Sequence, residues 1–445
     1  MGVDWREATL LEVAVRQRGT VSGPFGSTIS KRFFVAEGVP VIRGNNLSLG
    51  TDGPRFHDDD FVFLTTEKAE ELSSADCRPG DLVFTARGTL GQVGLIPRKS
   101  RFPKYILSAN QLRLRPDSTI ADSLYLYYWF SAPAMVAVMQ GRNAGSALPN
   151  MNLGALRGLP VVLPPLPEQR RIAAILGALD DKIDLNRQMN RTLEEMAQAI
   201  FKSWFIDFDG HTDLVDSELG PIPRGWSVEP LVVQMSRAIG GQWGESNPTQ
   251  DCVKSVLCIR GTDIPPMRNG EACQPPTRFL SVRAMESRTL EAGDLVFEVS
   301  GGSPTQSTGR CLLVTEGMIA KYREPLSCSN FCRLIRPRSF AAGVFLFFFL
   351  DHLYRRGDFF ALENGTTGIK NLPFTSFSNE YPLLKPPDAM LLRLADAVGP
   401  MLARRDAAGA ESATLAALRD TLLPKLISGE VRVPEAEKAV QEHLG

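Results

Sequence analysis

Two hydrophobic rhythms alternate along this chain. Through residues 1–165 the apolar positions come in short β-type runs, at 39–42, 61–64, 81–85, 92–96, 111–115 and 159–163, and Gly, Pro, Asn or Asp break them apart. Runs of this kind predict a curved sheet with long loops. From Pro167 to about Trp204 the spacing changes to alternating threes and fours, through Ile172, Ile175, Leu179, Lys182, Asn186, Met189, Leu193, Met196 and Ile200. A period of seven predicts a long helix with a coiled-coil seam, on the order of 55 Å long at about 1.5 Å per residue. Lys182 and Asn186 cost stability in such a seam but oppose slipped registers.

Both rhythms then recur. A second helix is expected from Asp388, an N-cap candidate after Pro386-Pro387, with a seam through Leu391, Leu394, Val398, Met401, Arg405, Ala408, Ser412, Leu415, Arg419 and Leu422. Gly399-Pro400 should kink it, because proline lacks a backbone donor and crowds the preceding turn. Short signatures repeat in the same order. Ile42-Arg43-Gly44-Asn45-Asn46 returns as Ile259-Arg260-Gly261-Thr262-Asp263, and Gly80-Asp81-Leu82-Val83-Phe84 as Gly293-Asp294-Leu295-Val296-Phe297. Segment 108–116 is echoed by 327–337, 144–150 by 367–371, and Leu163-Pro164-Pro165 by Leu384-Lys385-Pro386-Pro387. A period of this length is a duplicated domain and not a solenoid repeat.

The expected organisation is therefore a sheet domain at 1–165, a long helix at 166–206, a linker at 207–225, a second sheet domain at 226–387, a second long helix at 388–428 and a polar tail at 429–445. The fold class is α+β with an internal pseudo-twofold repeat. Each helix alone would expose a long apolar stripe, so the two most simply cover each other as an antiparallel coiled coil, with packing of each helix on its own domain as the alternative. The helices would then act as a ruler. An axial separation of ~50 Å matches about fifteen base pairs at ~3.4 Å each.

Composition narrows the class. Net charge is −1, which argues against a broad basic surface while leaving room for a few base-reading loops. The apolar runs at 124–130 and 344–350 are far below the ~18 residues of a membrane span and predict buried helices. The first residues carry no apolar signal region, and the seven cysteines, six of them in the second half, form no Cys-x-x-Cys pair. Reduced thiols and a cytoplasmic location are expected. The four histidines stand far apart, so no zinc site is expected. The Gly88-Thr89-Leu90-Gly91 segment precedes a strand, whereas a dinucleotide loop follows one and opens a helix. No Walker loop or methyltransferase-type Pro-Pro-aromatic segment is present, and Asp58-Asp59-Asp60 reads as a solvated turn. The chain is expected to be non-catalytic and to carry no cofactor of its own.

The helix entrance Pro164-Pro165-Leu166-Pro167-Glu168-Gln169-Arg170-Arg171-Ile172, followed by Leu179-Asp180-Asp181-Lys182-Ile183 and Phe201-Lys202-Ser203-Trp204-Phe205, resembles the specificity (S) subunits of type I restriction-modification systems. So do Leu219-Gly220-Pro221-Ile222-Pro223-Arg224-Gly225-Trp226 and the terminal Leu422-Leu423-Pro424-Lys425-Leu426-Ile427-Ser428-Gly429-Glu430. The resemblance spans the whole chain, but the second helix lacks a Pro-Glu-Gln-Arg entrance. It implies two target-recognition domains, each reading one half of a bipartite asymmetric site in double-stranded DNA. It implies docking of methyltransferase subunits, two of them, with a restriction and translocation subunit as a further partner. S-adenosylmethionine, ATP and Mg would sit on those partners. A non-catalytic coiled-coil adaptor with two protein-binding domains is the alternative function.

Polar, glycine-rich loops at matched positions are the DNA-contact candidates, since Arg, Asn, Gln, Ser and Thr pair with base edges and phosphates. They are Arg43, Asn45 and Asn46; Arg87, Thr89 and Gln92; and Arg142, Asn143 and Ser146 in the first repeat. In the second they are Arg260 and Thr262; Ser300, Ser303, Thr305, Gln306 and Arg310; and Thr366, Thr367 and Lys370. The change from Asn45-Asn46 to Thr262-Asp263 suggests one scaffold presenting different readers. Substituting Arg87 or Arg310 by Ala is expected to weaken DNA binding without unfolding the chain.

Overall fold

The structure is a computed structural model that describes residues 5–142, 150–303, 305–365 and 368–444. It divides into two compact units: residues 1–184 with 414–445, and residues 185–413. The long helices Leu166–Phe205 and Asp388–Ser428 each contribute to both units.

The first unit carries two five-stranded sheets. One orders Phe34–Val35, Val62–Leu64, Val39–Ile42, Tyr105–Leu107 and Asp76–Cys77; the other orders Thr20–Ser22, Gln111–Leu114, Leu82–Thr85, Gln92–Leu95 and Ser48–Leu49. Strand Arg6–Thr9 pairs antiparallel with Pro160–Leu163 and brings the chain to the helix entrance. The apolar run of the first repeat is the helix Ser123–Ser131, capped by Asp122, whose carboxylate accepts from Leu124 N at 2.9 Å. The helix-entrance motif has a structural reason. Gln169 is buried, its amide oxygen accepts from Asp122 N at 2.9 Å, and its amide nitrogen donates to Pro164 O at 2.8 Å and Ile120 O at 3.2 Å. One side chain thus ties the start of the long helix to the cap of the domain helix. Ile172, Ile175, Leu176, Leu179 and Ile183 share a core with Leu415, Leu422, Leu423 and Leu426. A buried ion pair joins them: Arg419 Nη1 meets Asp180 Oδ1 at 2.7 Å, and Tyr128 donates to the other Asp180 oxygen at 2.6 Å.

The second unit repeats this plan. Met235–Gly240, Cys332–Pro337, Leu295–Glu298 and Cys311–Leu313 form a four-stranded sheet, and Thr277–Leu280, Lys254–Ile259 and Leu326–Cys328 a three-stranded one. Its apolar run is the helix Phe340–Arg356, closed by Gly357 at φ 83°. Phe205 of the long helix packs on Trp226 and Phe345 at centroid separations of 5.6 and 5.2 Å, which accounts for aromatic residues recurring around this junction. Here Asn186 donates to Ala408 O and Ser412 Oγ, while Phe201 and Phe205 share a core with Leu391, Leu394 and Val398. Rising numbers on one helix meet falling numbers on the other, so the helices run antiparallel.

Several expectations are corrected. Ile183, not Lys182, is buried in the first unit; in the second, Met196 is 48% exposed while Ala197 takes its place in the core, and Leu193 and Ile200 are only half-buried. A helix of 3.6 residues per turn drifts from a strict seven-residue repeat by about 20° per heptad, which moves the buried stripe by one position. The second helix continues unbroken through Gly399-Pro400. Pro400 is exposed between the buried Val398 and Leu402, so the carbonyl it leaves without a donor has access to water. Residues 207–225 are not a plain linker: Leu214–Val215 pairs with Ile222–Pro223, and Arg224 bonds Asp213 at 2.6 Å. The C-terminal stretch forms the helix Val433–Leu444, with Val433, Ala436 and Val440 buried in the first unit and Glu437 paired with Arg171 at 2.8 Å.

Candidate functional site

The backbone around the candidate loops is built twice with the same bonds. Gly23 N donates to Gln111 O at 2.8 Å, and Gly241 N to Cys332 O at 3.0 Å. Ser108 N donates to Ile42 O at 2.9 Å, as Ser329 N does to Ile259 O. Ala86 N and Arg87 N both donate to Asn110 O; Val299 N and Ser300 N both donate to Phe331 O. Met151 N returns to Ala86 O at 2.9 Å, and Leu372 N to Val299 O at 2.8 Å. This register pairs Ser108 with Ser329, not with Ser327 as the sequence echo suggested.

Glycines let the strands close on this frame. A Cβ at Gly23 would lie 1.8 Å from Ser108 O, and one at Gly241 2.2 Å from Ser329 O, far inside van der Waals contact. The shared geometry extends to one polar side chain. Asn46 Oδ1 accepts from Arg43 N at 2.8 Å, and Asp263 Oδ2 accepts from Arg260 N at 2.8 Å. Asn46 is fully buried and spends its amide nitrogen on His57 O and Asp59 O. Asn46 is therefore scaffold and not a DNA reader, because a buried amide with every group paired has nothing to offer a ligand.

Other candidates divide between tip and frame. Asn45 and Arg43 both engage Asp60, at 2.7 Å and 3.7 Å, so the Asp58-Asp59-Asp60 turn braces this loop instead of standing free in solvent; Asp58 also accepts from Tyr105 Oη at 2.7 Å. Arg87 and Thr89 are exposed at the hairpin tip. Gln92 is committed internally: its nitrogen donates to Gly44 O and Leu47 O, and its oxygen accepts from Thr85 Oγ1 at 2.9 Å. Strand register makes Arg310 its counterpart and Glu298 that of Thr85. There the neutral pair becomes an ion pair, Arg310 Nε to Glu298 Oε2 at 2.8 Å and Nη2 to Oε1 at 2.5 Å. Hydrogen bonding to Glu298 raises the Arg310 guanidinium above its ordinary value. Arg260 is likewise held by Asp263 through Nε and Nη2, at 2.9 and 2.8 Å. In both arginines Nη1 takes no part in these carboxylate bonds.

In the second unit these residues face one concavity of ≈ 800 Å³, whose walls include Arg260, Thr262, Ser300, Gln306 and Arg310. Ser303, Thr305 and Lys370 are not on that wall. Ser303 and Thr305 belong to a tight turn closed by Ser303 N to Gln306 O at 2.7 Å, and Lys370 is paired with Glu363 at 3.0 Å. Arg142 is exposed at the end of helix Pro133–Gly141. Asn143, Ser146, Thr366 and Thr367 lie outside the described residues.

A family model for the type I restriction modification DNA specificity domain matches residues 26–195. The specificity subunit of type I restriction enzyme MjaIX from Methanocaldococcus jannaschii is 25% identical over 383 residues, 83% of this chain and 82% of that protein. The HindI specificity subunit from Haemophilus influenzae is 22% identical over 378 residues, 74% of this chain and 81% of the relative. The chain is thus similar, over most of its length, to type I restriction enzyme specificity subunits. A solved S subunit from M. genitalium shares the fold, with a TM-score of 0.54 at 14% identity over 96% of both chains.

Four residues of the frame stand out that loop composition did not single out. Glu298 lies behind Arg310; Trp243 and Phe331 line the concavity; Phe25 is 85% exposed. Phe25 and Trp243 had a legible signal, because Gly23-Pro24-Phe25-Gly26 and Gly241-Gln242-Trp243-Gly244 are a further match of the duplication. Glu298 and Phe331 had none, since their counterparts Thr85 and Asn110 differ in chemistry. Among the described residues, no three His, Cys, Asp or Glu side chains gather as a metal-ligand group, and no helix is long and apolar enough to cross a membrane.

Proposed function

We propose that each unit of this specificity subunit reads one half of a bipartite, asymmetric sequence in double-stranded DNA. The observation that carries the reading is the bond-for-bond repetition of the loop frame with different side chains on it: Asn45 against Thr262, Arg87 against Ser300, the Thr85–Gln92 pair against Glu298–Arg310. One scaffold with two sets of hydrogen-bonding groups suits two different half-sites, since base edges in the major groove are told apart by their donor and acceptor patterns. The two long helices hold the half-site readers at a set spacing and dock methyltransferase subunits, two per chain, with a restriction subunit as an additional partner. The chain itself is non-catalytic in this reading, with S-adenosylmethionine, ATP and Mg on the partner subunits.

Methylome sequencing of cells with and without this chain, in the presence of its methyltransferase, tests the proposal. One split adenine-methylation motif should appear only when the chain is present. A methylome that does not change would refute it.

A further inference from the structure

We propose that Phe25 and Trp243 are matched aromatic wedges, each pressing its ring onto a base step of the half-site that its own unit reads; the inference rests on the DNA-reading function proposed above. Phe25 is 85% exposed, yet its backbone is held firmly. Its carbonyl accepts from Thr28 N at 2.9 Å and Thr28 Oγ1 at 2.7 Å, and two residues earlier Gly23 is locked against the Ser108 turn. A large ring standing bare on a pinned turn is poised for a ligand that supplies an apolar or π surface.

The second unit shows what chemistry surrounds that position. Trp243 follows Gly241 on the same backbone bonds and lines the concavity beside Arg260, Gln306 and Arg310. Arg278 stacks its guanidinium 3.9 Å from the Trp243 ring centroid, placing a cation at the ring face. A ligand that meets the donors on this wall also meets the ring. Such a ligand has flat aromatic faces next to hydrogen-bonding edges and negative charge, which is the chemistry of a base step in duplex DNA. Apolar side chains inserted at a step unstack it in exchange for protein contact, and aromatic–base stacking tolerates sequence because every base has a π face. The wedges would therefore sense how easily a step opens, while the polar loops read base edges.

The test uses the full chain assembled with its methyltransferase subunits, as wild type, Phe25→Ala, Phe25→Trp and Trp243→Ala. The probes are a duplex bearing the motif mapped by methylome sequencing and a scrambled duplex of the same composition. Unstacking is read by 2-aminopurine placed at each adenine in turn and by permanganate oxidation of thymines. Wild type should unstack one step in each half-site. Phe25→Ala should abolish the signal in one half-site only and weaken binding about 10-fold or more, the scale of losing one stacked base. Trp243→Ala should do the same in the other half-site, and Phe25→Trp should keep both signals. Because Phe25 contributes nothing to a core, its Ala variant isolates the contact even if Trp243→Ala folds poorly. Unchanged affinity and unstacking in Phe25→Ala would overturn the wedge, as would equal loss in both half-sites. Loss of methyltransferase co-purification in Phe25→Ala would also overturn it, by making the ring a protein contact. Wild-type complex that binds both duplexes alike would overturn the DNA-reading function itself.

Discussion

Replacing Arg310 by Ala should destabilise the second unit before it says anything about DNA. The Glu298 side chain is 2% exposed and that of Arg310 17%, so truncating the arginine leaves a carboxylate in a nearly dry site. Breaking one side of a buried ion pair costs about 3–5 kcal/mol. The paired substitution Glu298→Thr with Arg310→Gln transplants the neutral pair that the first unit holds at the same strand positions, with Thr85 Oγ1 2.9 Å from Gln92 Oε1. No charge is then left uncompensated, and the double variant should lie within about 1 kcal/mol of wild type, as buried pairs replaced as a whole often do. With two units, global unfolding is not one transition, so the assay is hydrogen exchange of the amides in Leu295–Glu298 and Cys311–Leu313. Arg310→Ala should lower their protection by roughly two to four orders of magnitude, at about 1.4 kcal/mol per tenfold. Equal protection in the single and double variants would refute the reasoning. The outcome also decides how a binding defect of Arg310→Ala is to be understood, since sequence alone predicts weaker DNA binding in a chain that stays folded.

Other outcomes follow from the same kind of accounting. Arg419→Ala should cost the first unit about 3–5 kcal/mol, because the buried Asp180 loses its direct ion-pair partner and keeps the Tyr128 hydroxyl as a hydrogen-bond donor; a thermal melt unchanged from wild type would contradict it. Asn186→Leu should raise the melting temperature while loosening helix register, the usual exchange at a polar seam position, and cysteine cross-linking between the helices at shifted positions would detect the slippage. His352 is held below its ordinary value of 6.5 by burial and then by Arg356. Its penalty is absent above that pH and grows as pH falls through 6.5 toward the depressed folded value, because the unfolded chain then binds the extra proton. Wild type should lose more stability than His352→Asn on acidification from about pH 7.5 to about pH 5, a span that brackets the titration of an ordinary histidine; parallel melting curves would refute this. Arg87→Ala, at an exposed tip, should leave folding intact but lower DNA affinity and reduce its salt dependence by about one counterion if the contact is a phosphate.

Much of the site was legible in loop composition, but composition does not separate tip from frame. Asn45 and Asn46 are adjacent and chemically identical; Asn46 alone is fully buried, because only it sits where a backbone N–H and two carbonyls need a partner. Gln92 and Arg310 look like readers in sequence, and both are tied to a residue on the neighbouring strand. Phe25 carries no polar group that would mark it as a reader, though its Gly-x-aromatic-Gly context repeats at Trp243.

The sequence by itself determined the strands and the two long helices, whose spacing is local, and the duplication, which a comparison of Ile42–Asn46 with Ile259–Asp263 and of Gly80–Phe84 with Gly293–Phe297 reveals. Only tertiary structure decided which seam positions are buried, that residues 207–225 and the C-terminal stretch fold onto their units, and which polar side chains hold the frame. Those outcomes depend on partners far away in the chain: Arg419 lies 239 positions from Asp180, and Asn186 lies 226 from Ser412. A long-range contact is set by how cores pack and how a helix of about 3.6 residues per turn drifts along its partner, and neither quantity is written in any one segment.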